Sequence, residues 1–137
     1  LATVTPGAGY VGPFSALLIG LVAGGLSYLA IMWKGKFGYD DSLDVVGIHG
    51  VGGVAGVLAT GLLASKAVNS GGADGLFFGN PGFFGIQIMA ALAVGLFSLV
   101  MTYLILKLVD RFVGLRVSHE EEALGLDLSQ HNERAYS

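Results

Sequence analysis

One side chain in this sequence asks for chemistry before any other. His49 is the sole ionisable residue well inside a long apolar stretch. A strongly polar group in such a setting costs free energy, so it usually faces a cavity or a partner. Imidazole titrates near neutral pH and can donate through one ring nitrogen while accepting through the other. Three uses follow: a neutral structural histidine bonding a backbone carbonyl between helices, a pore or proton-relay residue, or a ligand to haem or metal. Ligation would want a second buried histidine or carboxylate at ligand spacing, and none accompanies His49. The residues by themselves leave the first two readings open.

The carboxylates have simpler explanations. Asp44 precedes His49 by five residues, about 7–8 Å along a helix axis. It belongs near the first turn of that helix, where a carboxylate complements the dipole and can cap amides. Asp40 and Asp41 fall in the preceding loop, solvated or capping the same entry. The run Glu120-Glu121-Glu122 reads as a solvated face, and Ser118 with Glu121 has capping-box spacing, which predicts a short helical turn. His119 beside these glutamates does not make a metal site, because adjacent residues on a helix do not face one another. With no cysteine, thiolate catalysis, disulfides and cysteine-based metal sites are excluded. No nucleophile–base pair stands out either, so neither an enzyme nor a bound cofactor or metal is expected.

The elements that must position His49 are set by composition. Of 137 residues, 53% are hydrophobic and only 12% charged, with a mean hydropathy of +0.72. A soluble domain carries about a quarter charged residues. The 23 glycines would weaken soluble helices, but small residues suit helices packed in a bilayer. The net charge of −3 lies mostly in the tail, which makes nucleic acid an unexpected partner.

Crossing a bilayer takes about 20 apolar residues. Stretches 11–33, 43–64 and 83–106 qualify. Without alternation or edges to pair, they are expected to be helices, giving an all-α integral membrane fold with a short polar tail. Stripes of small or polar residues at helical spacing predict close packing in a bundle: Ala16, Gly20, Ala23, Gly24 and Ser27 on the first span, His49, Gly52, Gly53, Gly56 and Thr60 on the second, and Gln87, Ala91, Gly95 and Ser98 on the third. Lys34 and Lys36 flank the first loop, while Lys107, Arg111 and Arg116 follow the third span. The basic bias predicts loop 34–42 and the tail to be cytoplasmic, with Leu1 and the Gly-rich loop 66–82 outside. The sequence starts at Leu1, not at methionine, and no basic n-region precedes its first apolar run, so no cleavable signal peptide is visible and the start reads as a cut through a longer protein.

The run from Gly38 to Gly53, with Asp40, Asp41, Asp44 and His49 at fixed positions, resembles the tenth transmembrane segment of the Amt/Mep ammonium transporters. Thr5-Pro6 and Gly12-Pro13 are similar to the turn before that family's ninth segment. Gly114-Leu115-Arg116-Val117, the acidic run, Gly125-Leu126-Asp127, and His131 with Glu133 and Tyr136 resemble its C-terminal tail. The resemblance covers essentially the whole chain. It implies the last three helices of an eleven-helix fold in two inverted halves, assembled as a homotrimer in the cell membrane, each subunit with its own pore. Residues 1–113 would complete the membrane domain and 114–137 form a cytoplasmic tail that couples the pore to PII-type signalling proteins.

By the same resemblance, His49 is the second of two pore histidines and Val45, one turn earlier, falls on the pore side. The implied substrate is ammonium or ammonia, and membrane lipid and the remaining helices complete the surroundings. Where the family usually has glycine, this tail has Asn132, and His119 stands where a residue is often acidic. The first pore histidine and the external recruitment site are not in this chain, so it supplies part of a pore wall only. The Rhesus-type gas channels, and a non-transporting sensor or membrane anchor on the same fold, are the competing readings.

Overall fold

The computed structural model describes residues 1–134. Among them the secondary structure is helical throughout, with three helices long and apolar enough to cross a membrane. The chain divides into two units, Leu1–Val94 and Gly95–Ser137. Tyr136, part of the tail resemblance, lies outside the described residues.

In the first unit a 3-10 turn over Thr5–Gly7 leads into α1, Pro13–Phe37. Pro13 occupies the first helical turn, where its missing amide hydrogen costs nothing. The helix runs past the expected end at Trp33 and stops at Gly38, whose φ of 65° makes it the left-handed residue that closes a helix. Lys34 and Lys36 therefore belong to the last turn of α1 and not to the loop. Their charges complement the carbonyl end of the helix, so the chain does not break where hydropathy falls.

The second span is not uniform. It opens after Asp44, runs as a π-helical turn over Val46–Val51, and continues as α2, Gly52–Leu63. Glycines let it lie close to its neighbours. A Cβ at Gly56 would stand 2.1 Å from the Thr3 carbonyl oxygen, and one at Gly52 would stand 2.9 Å from Thr3 Oγ1. Thr60 is buried and returns its hydroxyl to the Gly56 carbonyl at 2.9 Å, which spares it an unsatisfied donor. At Gly61 the neighbours are Phe84 and Gln87 of the third long helix, α3 (Pro81–Phe112), 2.9 and 3.1 Å from where a Cβ would sit. The small-residue stripe of the second span thus packs as expected at Gly52 and Gly56.

The Gly-rich connection is pinned at several points. The Ser65 amide donates to the Tyr10 carbonyl at 2.9 Å, the Lys66 amide to Asp74 Oδ1 at 2.8 Å, and the Gly75 amide to the Ala64 carbonyl at 2.7 Å. Asn80 Oδ1 accepts the Phe83 amide at 3.1 Å and Pro81 begins α3, a side-chain cap followed by proline.

Helix α3, Pro81–Phe112, is longer than the expected 83–106 because Lys107, Asp110 and Arg111 continue it. Its length of roughly 48 Å exceeds a hydrocarbon core of about 30 Å. None of its residues is buried.

In the second unit the end of α3 is followed by α4, His119–Leu124, and α5, Leu126–Ser129. The expected capping box is present. The Ser118 hydroxyl accepts the Glu121 amide at 3.2 Å, and Glu121 Oε2 accepts the Ser118 amide at 2.9 Å. The amide and hydroxyl of Ser118 hold the Glu121 carboxyl below the usual glutamate range. Arg116 donates to Glu122 at 3.0 Å, and the Glu133 amide closes the tail on the Asp127 carbonyl at 2.9 Å.

Candidate functional site

The site is built at the entry of the second span. The Asp41 carboxylate accepts the Val45 amide through Oδ1 and the Val46 amide through Oδ2, both at 2.8 Å. This satisfies two of the orphan donors at the start of the helix. The capping role expected of Asp44 therefore falls to Asp41, which the alternative for the loop aspartates allowed. Asp44 itself adopts a φ of 55°, uncommon for a residue with a side chain. That turn directs its carboxylate to Lys34 at the end of α1, while its carbonyl accepts the Ile48 amide at 2.9 Å.

His49 lies within the π turn. Such turns are rare and frequently mark functional positions. Within it only Gly47 is buried, held against Ile31 and Ala30 of α1. His49 is exposed, as are Val45 (47%) and Ile48 (40%). Among the described residues no hydrogen-bond or ion-pair partner meets the imidazole. Among those residues the structural reading of His49, a bond to a backbone carbonyl between helices, has no counterpart. An apolar helix thus presents an imidazole on a face that α1 leaves uncovered.

Glycines of the other small-residue stripes behave likewise. Gly20, Gly24 and Gly95 have nothing within 4 Å of where a Cβ would stand. A cleft of about 310 Å³ runs beside the first stripe, bounded by Leu1–Val4, Ala16, Gly20 and Ile48. Small residues suit close packing, and among the described residues nothing fills the space at Gly20, Gly24 and Gly95.

Sequence reasoning placed His49, Val45 and Asp44 in one segment, and the structure keeps them there. It missed Lys34, because a lysine after an apolar run reads as a topology signal. Opposite charges ten residues apart across a glycine-closed helix end were the available sign.

Three long apolar helices with uncovered packing faces, one of them carrying an imidazole, define part of a polytopic membrane protein. The chain belongs to the Ammonium Transporter Family, whose model matches residues 1–136. It is 47% identical over 137 residues to the ammonium transporter of Bacillus subtilis (strain 168), with 99% of this chain aligned to 34% of that protein. It is also 47% identical to ammonium transporter Amt1 of Archaeoglobus fulgidus, with 100% of this chain covering 34% of the relative. The ammonium transporter of Aquifex aeolicus is 46% identical, with 32% of its length covered. The chain thus spans about a third of the length of these relatives. Their names favour the ammonium transporters over the Rhesus-type alternative.

Proposed function

We propose that the protein to which this chain belongs carries ammonium or ammonia across the cell membrane, with His49 in the pore wall. The observation that carries the reading is His49 itself: an imidazole without a partner, on an uncovered face of an apolar span, in a chain matched end to end by one transporter family. A bare ammonium ion in a narrow apolar passage suffers a heavy desolvation cost. Transfer of its proton to a neutral imidazole, which becomes imidazolium, leaves ammonia, which crosses more readily. Imidazole can accept a hydrogen bond from ammonium or ammonia, whereas potassium has no hydrogen to donate. Selectivity then arises from hydrogen bonding, and Val45 contributes apolar wall one turn away.

The rest of the reading follows from the family relationship and the charge bias. Residues 1–113 complete a membrane domain and 114–137 form its tail. The tail and the segment 34–42, which comprises the last turn of α1 and the loop after it, face the cytoplasm, and loop 66–82 faces outward. The assembly is a homotrimer embedded in lipid, with a PII-type protein as a partner at the cytoplasmic face. Its work is transport and not catalysis.

The test is flux into proteoliposomes carrying the full-length protein. An imposed ammonium gradient should drive uptake well above that of protein-free vesicles, while an equal potassium gradient should not. Ammonium uptake indistinguishable from that of empty vesicles would overturn the proposal.

A further inference from the structure

Helix α1 grips the turn that carries His49 at two points. At the first, Gly47 lies so close to α1 that a Cβ there would be 2.9 Å from Ile31 Cγ1 and 3.4 Å from the Ile31 amide nitrogen. The second is Lys34, one turn further along α1 on the neighbouring face. Its ammonium donates to the Asp41 carbonyl at 2.8 Å and to the Asp44 carboxylate. The side chains of this pair are 26% and 32% exposed. The Asp41 carboxylate is already committed to the Val45 and Val46 amides, so Asp44 supplies the carboxylate for Lys34. To do so it holds a φ of 55°, and its carbonyl starts the helix by accepting the Ile48 amide. The π turn begins two residues later.

We infer that Lys34 is a positioning residue for the pore: by pairing with Asp44 it sets the rotation and depth of the π turn that presents His49. This rests on the reading of His49 as a pore residue. Lys34 does not touch the substrate. Gly47 and Gly52 hold the body and far end of the turn, and the Asp41 cap is local to its entry; Lys34 is what ties that entry to α1. Relaxation of the π turn toward α geometry would change the angle at which the imidazole leaves the helix, and misplacement of a reacting group by about 1 Å can be severe. An ion pair about a third exposed adds little to folding, so the effect belongs to the geometry of His49 rather than to the amount of folded protein.

The experiment uses the full-length transporter carrying Lys34→Met, Lys34→Arg, Asp44→Asn, His49→Ala and the Lys34→Met/His49→Ala double substitution. Ammonium flux and its ratio to potassium flux are read per inserted molecule. Lys34→Met and Asp44→Asn should each lower the ratio by roughly tenfold, within the range of coupling through packed networks. Lys34→Arg, which keeps the ion pair, should stay near wild type. The double substitution should match His49→Ala alone, because Lys34 acts through the imidazole. Wild-type behaviour of Lys34→Met, or an additive loss in the double substitution, would overturn the inference. Should Lys34→Met fail to insert, Asp44→Asn decides: the tenfold loss upholds the inference, while wild-type selectivity or failure to insert overturns it. If His49→Ala changes the ratio and the Lys34 and Asp44 substitutions do not, only the positioning role falls. If His49→Ala is itself silent, the pore reading falls and takes this inference with it.

Discussion

At Gly56 one methyl group decides how closely the N-terminal segment can lie on α2. An added Cβ would meet the Thr3 carbonyl oxygen at 2.1 Å, a backbone atom that cannot swing aside. Alanine gains about 1 kcal/mol of helix propensity over glycine, while forced repacking costs about 1–3 kcal/mol. The clash here is severe, so the second effect wins. Gly56→Ala should lower the apparent Tm of the full-length protein in detergent, and an unchanged or raised Tm would contradict the packing. In the tail, Ser118 holds the Glu121 carboxyl below its ordinary range. The cap's contribution is therefore fully present above the unfolded glutamate pKa and is lost as pH falls through the lower folded value. A carboxyl NMR titration should place the Glu121 midpoint below that of an unstructured glutamate, and Ser118→Ala should move it upward. Asn132 has a φ of 54°. Asparagine is among the few residues other than glycine that visit this region readily, so the residue suits the turn it occupies.

At the scale of elements, the ends of helices are decided by residues that hydropathy does not weigh. The apolar run stops at Trp33, yet α1 continues to Phe37 because Gly38, not the first lysine, ends it. Residues Pro81 and Asn80 likewise start α3 earlier than its apolar run suggests. The capping box at Ser118 was legible because it is local, three residues wide and made of the right types. The Asp41 cap was legible only as one of several aspartates, since the choice depends on Asp44 adopting a positive φ. The π turn carries no composition signal, because the same residues would serve an α-helix. Asp41 accepts two amides with two oxygens, so both alanine and asparagine should weaken the entry. Loss of an N-cap costs about 0.5–2 kcal/mol. Asp41→Ala should lower thermal stability measurably, and Asp41→Asn by less, because its one carbonyl oxygen can still accept. Equal stability of Asp41→Ala and wild type would show that Asp41 does not hold the helix start.

For the whole molecule, exposure is the informative quantity. Large apolar side chains such as Phe14, Leu21, Leu92 and Phe97 are 74%, 77%, 68% and 66% exposed, as expected where lipid or further helices cover them. Three membrane helices and their order were readable from hydropathy, which depends on composition over long windows. Where those helices meet was not, because contacts such as Gly47 on Ile31 and Gly56 on Thr3 join residues far apart in sequence. The proposed orientation predicts that a cysteine at the exposed Ser70 reacts with an impermeant thiol reagent added outside intact cells; protection there, with reaction only after lysis, would reverse it. The central claim is that His49 lines an ammonium pore. It is tested most directly by the ratio of ammonium to potassium flux through the full-length protein with and without His49→Ala. At equal insertion, the substitution should change that ratio by at least tenfold, since one hydrogen bond to an ionic ligand is worth about 1.5–3 kcal/mol. An unchanged flux and an unchanged ratio would contradict the account.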